Sequence, residues 1–243
     1  MSAGAAATVN ATPLTRHHVD ESLPFRPRKL STGERCRRET LTYYSPRNKR
    51  IVTLTDAGPV ALGLKLEFDP SLVAFVERPR RIALSEKQQI DLTYWTRDVK
   101  GKEQFLLFIP SAGTIASTRG LAAVRDREAL DAAARRHGIE LTYVAERDLL
   151  SASAERGAYW QLLPHVQHHR RLRVRSFVEA SIEALLAVTP SLTLRGASKQ
   201  LGERFTPDQV AAVLASMVHR GRLRIAAPVG FNEDSVLEVA RAT

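Results

Sequence analysis

The residues with the plainest chemistry in this 243-residue chain are its arginines and lysines, and they are not spread evenly. Between Arg26 and Arg50 stand nine bases: Arg26, Arg28, Lys29, Arg35, Arg37, Arg38, Arg47, Lys49 and Arg50. Only Glu34 and Glu39 oppose them, which leaves this segment at +7. A second block, Arg170, Arg171, Arg173 and Arg175, follows His168 and His169. Cations clustered in this way neutralise phosphates, and the whole chain carries a formal +10 with a pI of about 10.2. A polyanion is the expected partner, with nucleic acid the first candidate. The plainer alternative for each block is a solvated face, although charges of one sign set apart from acids weigh against it.

Other constellations promise less. His165-Val-Gln-His168-His169 has metal-ligand residue types, but no Cys or acid nearby completes a set, so no metal site is expected. There is no nucleophile-elbow serine and no glycine-rich phosphate loop, since Ser111-Ala-Gly-Thr-Ile115 is too short a signal. Trp95 and Trp160 read as core or interface aromatics. Cys36 is the single cysteine, which excludes an internal disulfide and suits a reducing cytoplasm. No stretch is apolar enough to span a bilayer, and Met1–Leu14 lacks the basic and apolar regions of a secretory signal. A cytoplasmic location without membrane contact is the expectation.

Apolar residues form 44% and charged residues 26% of the chain, a mixture that can build a core. Residues 1–25 are small, polar and broken by proline, and are expected to be a disordered tail. Residues 26–172 read as a mixed α/β domain. A strand at Ile51–Leu54 precedes a helix from Pro59 to Leu66. A meander of β-rich runs follows at Ala74–Val76, Arg81–Leu84, Ile90–Trp95 and Gln104–Ile109. A helix over Asp126–His137, capped by Gly138, leads to a strand at Ile139–Val144 and a turn at Glu146–Asp148. Residues 173–243 change character. Helices are expected at Phe177–Val188, at Thr193–Leu201 and after the capping box Thr206-Pro-Asp-Gln209, then a strand at Leu223–Ile225. Three helices with a tight turn and a β-ribbon outline a winged helix-turn-helix, and any three-helix unit is the plainer alternative. On that outline Thr206–Arg220 is the recognition helix, presenting Asp208, Gln209, Ser216, His219 and Arg220, with Arg222 and Arg224 on the wing.

The stretch Leu66-Glu-Phe-Asp-Pro-Ser-Leu-Val-Ala-Phe-Val-Glu-Arg-Pro79 resembles the amino-terminal signature of the TnsA family, the endonuclease subunits of heteromeric transposases. Ser45-Pro-Arg-Asn-Lys-Arg50 resembles that family's basic entry segment. Ala129 to Leu150 resembles the part that closes its nuclease domain, and Met217-Val-His-Arg-Gly-Arg-Leu223 resembles its winged helix. The likeness runs over residues 35–230 and rests on the order of these features. It implies an α/β restriction-endonuclease-like, PD-(D/E)XK domain followed by an α+β winged-helix domain. The partners it implies are transposon-end DNA, an integrase-type transposase and an ATPase regulator.

That nuclease site needs a helix-borne Glu, an Asp before a strand and an acid-X-Lys on the next strand, because carboxylates hold the Mg²⁺ that activates water. In this chain the Glu position falls on Pro59, between Gly58 and Val60, with Asp56 the nearest acid. The Asp position falls at Thr93 or Tyr94, with Asp91 reachable by a shift of register. The third strand reads Phe105-Leu-Leu-Phe-Ile109, and Lys102 and Glu103 precede it in the wrong order. Glu67, Asp69 and Glu77 match framework positions only. The expectation is therefore a DNA-binding accessory subunit without catalytic residues or metal. Two alternatives stand beside it. One is an active Mg²⁺ endonuclease using Asp56, Asp91 and Lys102. The other is a winged-helix DNA-binding regulator. The DNA contacts are expected from Arg35, Arg37, Arg38, Arg47, Lys49, Arg50, Arg170, Arg171, Arg173, Arg220, Arg222 and Arg224.

Overall fold

The computed structural model describes residues 23–116, 122–150, 153–227 and 230–240, so the expected tail lies outside the described residues as far as residue 22. Within that tail's last positions, Leu23 and Phe25 pack on the cluster around Trp95, and the Phe25 ring lies 5.3 Å from that of Phe105.

Helix α1 (Thr32–Arg37) starts at a capping box in which the Ser31 side chain accepts from Glu34 N–H and Glu34 answers on Ser31 N–H. Strands β1 (Thr40–Ser45) and β2 (Arg50–Thr55) form an antiparallel hairpin, with Tyr44 opposite Ile51. Helix α2 (Ala57–Phe68) follows, then β3 (Leu72–Glu77), β4 (Arg81–Ala83), β5 (Gln89–Asp91), β6 (Tyr94–Asp98) and β7 (Glu103–Ile109). A 3₁₀ turn at Ser111–Gly113 leads to the small ribbon β8 (Thr114–Ala116) and β9 (Ala122–Val124). Helix α3 (Arg127–Arg136), β10 (Leu141–Ala145) and α4 (Glu146–Leu150) complete this half.

The main sheet has the order β10-β7-β6-β3. Strands β3, β6 and β7 are antiparallel neighbours, and β10 lies parallel to β7. A parallel neighbour needs a crossover, which α3 supplies between β7 and β10. The run expected as one strand from Ile90 to Trp95 is broken in two. Its first part pairs with β4, while Leu92 N–H turns to Arg80 O and Thr93 N–H to Leu106 O before β6 enters the main sheet. Strand β3 lies at the sheet's edge and is met by side chains from the hairpin. Asn48 Oδ1 accepts from Phe75 N–H at 3.0 Å and Arg50 donates to Phe75 O at 3.3 Å.

The turn expected at Glu146–Asp148 is the first turn of α4, and a long helix α5 (Ser153–His169) lies beyond it. Then come α6 (Arg175–Val188), β11 (Ser191–Thr193), α7 (Leu194–Leu201), α8 (Pro207–His219), β12 (Leu223–Ile225) and β13 (Val236–Val239). Helix α8 has its expected capping box, Thr206 with Gln209, and Pro207 in its first turn. The ribbon has the order β11-β13-β12. The whole is a mixed α/β fold, and no helix among the described residues is long and apolar enough to cross a membrane.

One apolar cluster joins the two halves, running from Val52, Leu62 and Phe75 through Leu162 and Val166 of α5 to Val213, Leu214 and Leu237. At its centre Phe68 stacks flat on Tyr159 at 4.6 Å and meets the His219 ring edge-on at 5.3 Å. Glu67, fully buried, accepts from Ser45 Oγ at 2.5 Å and Arg47 N–H at 3.1 Å, and lies 2.9 Å from His219 Nε2. The joint is tight: Gly221 has φ +71°, and a Cβ there would run into the Pro70 ring.

Candidate functional site

The basic run of residues 26–50 divides by burial. Arg47 and Arg50, expected to meet DNA, are turned inward. Arg47 donates from Nε and Nη2 to Glu67 O at 3.0 and 2.9 Å and from Nη1 to Leu72 O, which closes the end of α2. Burial pulls its pKa below the usual arginine value. Arg50 forms a bidentate pair with Glu77 at 2.9 and 2.5 Å, and both side chains are under 5% exposed. Arg35, Arg37 and Arg38, on or just after α1, and Lys49 in the hairpin turn are exposed. Of these, Arg38 reaches Asp56 at 3.2 Å.

The carboxy-terminal candidates are tied more loosely. Arg170 lies over the Tyr44 ring at 4.1 Å, and Arg171 and Arg173 are exposed. Arg220 and Arg222 both bond to Glu179, at 2.8 and 2.6 Å, Arg222 also reaches Glu183, and Arg224 pairs with Glu238 at 2.7 Å. The largest departure from expectation is α8 itself. Every residue from Val210 to His219 is buried, including Ser216 and His219, because α5, α6, α7 and β12 pack around it. Ser216 and His219 are therefore not presented as expected, while Asp208 and Arg220 at the two ends of the helix are exposed and Gln209 is half-buried.

The three acid–base candidates are only partly brought together. Asp56 and Asp91 line one small cavity of about 90 Å³, shared with Glu77, Arg78, Thr93 and Tyr94. Lys102 is exposed at the far end of β6, where its N–H bonds to Asp98. Each acid at the cavity has a guanidinium partner: Arg38 for Asp56, Arg50 for Glu77, and Arg28 with Arg81 for Asp91. Burial works against ionisation of Asp91, but the hydrogen bonds from Arg81 and Arg28 outweigh it and hold the carboxyl below its usual range. Arg28 also holds Glu34 well below the carboxylate range.

The neighbouring positions are apolar or already bonded. Thr93 Oγ1 accepts from Phe108 N–H at 2.8 Å, and the buried Tyr94 hydroxyl donates to Pro59 O at 2.6 Å. The Phe108 ring lies so close to Gly58 that a Cβ there would collide with it. Magnesium takes oxygen ligands in near-octahedral array. Among the described residues no group of three or more His, Cys, Asp or Glu could hold a metal ion together.

Beside this cavity lies a larger cleft of about 690 Å³. Its walls are the segment 26–30, Arg35, the outer face of the β1–β2 hairpin and Arg78. Arg78 was missing from the residues singled out by sequence. Its one signal was the Arg78-Pro79 step ending β3, which reads locally as a turn. Neither a scan of protein-family models nor a search of curated proteins finds a match to this chain.

Proposed function

We propose that this chain is a TnsA-like, DNA-binding accessory subunit of a transposition system, acting in transposon-end positioning and transposase assembly without cutting DNA itself. The observation that carries the reading is the order of α2, the strands β3 to β9, α3 and β10, with Pro59, Thr93, Tyr94 and Phe105–Ile109 of β7 where the resemblance would put acids and lysine. A helix, a strand meander, a second helix and a further strand, with β3, β6 and β7 antiparallel and β10 parallel to β7, support the α/β part of this reading. The order α6-β11-α7-α8-β12-β13 and the sheet β11-β13-β12 agree with a winged-helix unit after it. The +10 charge supports DNA as the partner. An integrase-type transposase and an ATPase regulator are the protein partners, and a cytoplasmic location goes with this reading.

The test combines purified chain, a labelled transposon-end duplex, Mg²⁺ or Mn²⁺ and the integrase-type transposase encoded beside it. Binding of the duplex and co-purification with the transposase, without nicking by the chain alone, are expected. Nicking by the chain alone that disappears in Asp91→Ala would replace this reading with the active endonuclease. Separate migration of chain and transposase, with and without end DNA, would refute the assembly role.

A further inference from the structure

The large cleft gathers paired and unpaired cations on one wall. Arg28 and Arg50 on its wall are neutralised by Glu34, Asp91 and Glu77. Arg26, Lys29, Arg35 and Arg78 have no carboxylate partner among the described residues. The cleft therefore holds four cations that form no ion pair among the described residues. Its volume of about 690 Å³ compares with about 30 Å³ for one water in the liquid, so it has room for a stretch of polymer and not merely a single ion.

Arg78 is built into this cleft. Its backbone has φ +45°, a left-handed conformation that is strained for a non-glycine residue. It is held there from both sides: Arg78 N–H donates to Thr93 O at 2.9 Å, and Arg28 N–H donates to Arg78 O at 3.0 Å. Its guanidinium is fixed by Nη1 to Thr53 O at 2.8 Å and Nε to Arg28 O at 3.2 Å. Both acceptors are neutral carbonyls, and the acids that favour its charge, Glu77 and Asp91, are themselves bound by Arg50 and by Arg28 with Arg81. Burial pulls its pKa down from the usual arginine value, a cost that an arriving anion would relieve. Behind it, the nearly buried Arg50 keeps an Nε–H with no hydrogen-bond partner.

We propose that the cleft between segment 26–30 and the β1–β2 hairpin is a phosphate-binding groove for a nucleic-acid backbone, with Arg78 as its fixed inner cation and Arg26, Lys29 and Arg35 as its rim. The groove deepens the DNA-binding reading and rests on it. Pro27, Leu30 and Ile51 line the same cleft and offer apolar surface to sugars, which a free phosphate would leave uncovered. Its polar side chains are cations, threonines and the Arg50-bound Glu77, so contact is to the backbone and largely independent of sequence.

The experiment measures binding of the full chain to a labelled transposon-end duplex and to a random duplex over a series of salt concentrations, with inorganic pyrophosphate as competitor. The variants are R26A/K29A/R35A, which alters exposed side chains only, and R78K, which keeps the charge and loses the planar fork. A charge-matched control is R171A/R173A/R175A, also exposed. Melting temperatures close to that of the parent establish that each variant is folded. The rim variant should weaken binding to both duplexes about tenfold or more at low salt and flatten the slope of log K against log salt by about 2–3 units. R78K should weaken both duplexes alike, and the control should change the slope by less than the rim variant does. A rim variant with the parent's slope, or a control with the larger effect, would overturn the groove and leave DNA binding standing. A parent chain that binds neither duplex would overturn both, and one that binds pyrophosphate alone would overturn the nucleic-acid assignment.

Discussion

The amino-terminal α/β half and the carboxy-terminal three-helix half both close the surface on which their shapes would be expected to work, but by different means. In the first, on the proposed reading, side chains fill the place of a nuclease centre: Phe108 lies against Gly58, the Tyr94 hydroxyl is committed to Pro59 O, and arginines occupy the surrounding acids. In the second, a whole helix does the covering, since α5 lies along α8 and buries it. Filling by side chains leaves the scaffold and the groove beside it intact. Covering by a helix removes the surface from Val210 to His219. On the proposed reading, DNA contact therefore belongs to the amino-terminal half, and α8 serves to fasten the two halves together.

The strongest way to break this contrast is to attack the cover. Val166 of α5 is 2% exposed and belongs to the cluster shared with α8. Val166→Asp would place a carboxyl there with no compensating partner and should destabilise the fold by more than about 4 kcal/mol. Thermal unfolding checks this. A variant that melts like the parent would mean that α5 does not seal α8 and that the helix is open to DNA after all.

The filled centre can be probed with a smaller effect. Alanine is normally the better helix former, by about 1 kcal/mol over glycine. Gly58→Ala should nevertheless destabilise by about 1–3 kcal/mol, because the added methyl meets the Phe108 ring. Phe108→Leu should remove part of that penalty, so the double variant should be more stable than the sum of the two single effects. Additive effects in chemical denaturation would show that Phe108 does not fill this place.

The same contrast separates what the sequence made legible from what it hid. Helix α8 was readable from Thr206-Pro-Asp-Gln209 and its valines, but its setting was misjudged. Ala211, Ala212 and Ala215 occupy the faces between the larger apolar residues, and a helix with no broad polar face is a buried one. Helix α5 was hidden because Gly157 and Pro164 read locally as breakers, and without α5 nothing foretold the cover over α8. The absence of acids at Pro59, Thr93 and Phe105–Ile109 was visible residue by residue. The inward turn of Arg47 and Arg50 was not, because their partners Glu67 and Glu77 stand 20 and 27 residues away and only the fold brings them close. Charge counted along the chain therefore overstated the surface available to phosphate at the hairpin and overlooked Arg78.

Acid should loosen the carboxy-terminal fastening before it affects the filled centre. His165, edge-on to Phe231, and His169, whose Nε2 is buried without a hydrogen-bond partner, are both held below the ordinary histidine value of 6.5 by burial. Asp208 partly opposes this at His165, while His168 adds to it. At His169, Arg220 and Arg175 add to it and Glu179 opposes it. A group neutral when folded takes up its proton more readily on unfolding. The stability it contributes is present above about pH 6.5 and falls as pH drops below that value. The arginine-bound carboxyls Glu34 and Asp91, depressed in the fold, lose their contribution only in the more acidic range below the usual carboxylate values. Melting temperature should therefore begin to fall just below pH 6.5, and His165→Gln should reduce that first decline. A melting temperature flat between pH 7 and 5 would remove these histidines from the account.

The smallest effect is expected where a winged helix would have put its contacts. Arg220 and Arg222 stand at the end of α8 and the start of the ribbon, where such a unit would touch DNA, but both guanidiniums are engaged by Glu179, and Arg222 also by Glu183. These pairs are largely open to solvent, so each contributes only about 0.2–1 kcal/mol. Replacing both arginines with alanine should shift stability by about 1 kcal/mol or less. Two cations matched by two carboxylates have little charge to offer a phosphate, so the double variant should also leave the salt slope of DNA binding unchanged to within about half a unit. The ratio of end to random DNA should stay the same, because with α8 enclosed these residues have no reading helix beside them. A marked loss of preference for end DNA would mean that the carboxy-terminal half opens on binding, and the contrast between a filled surface and a covered one would then hold only for the free protein.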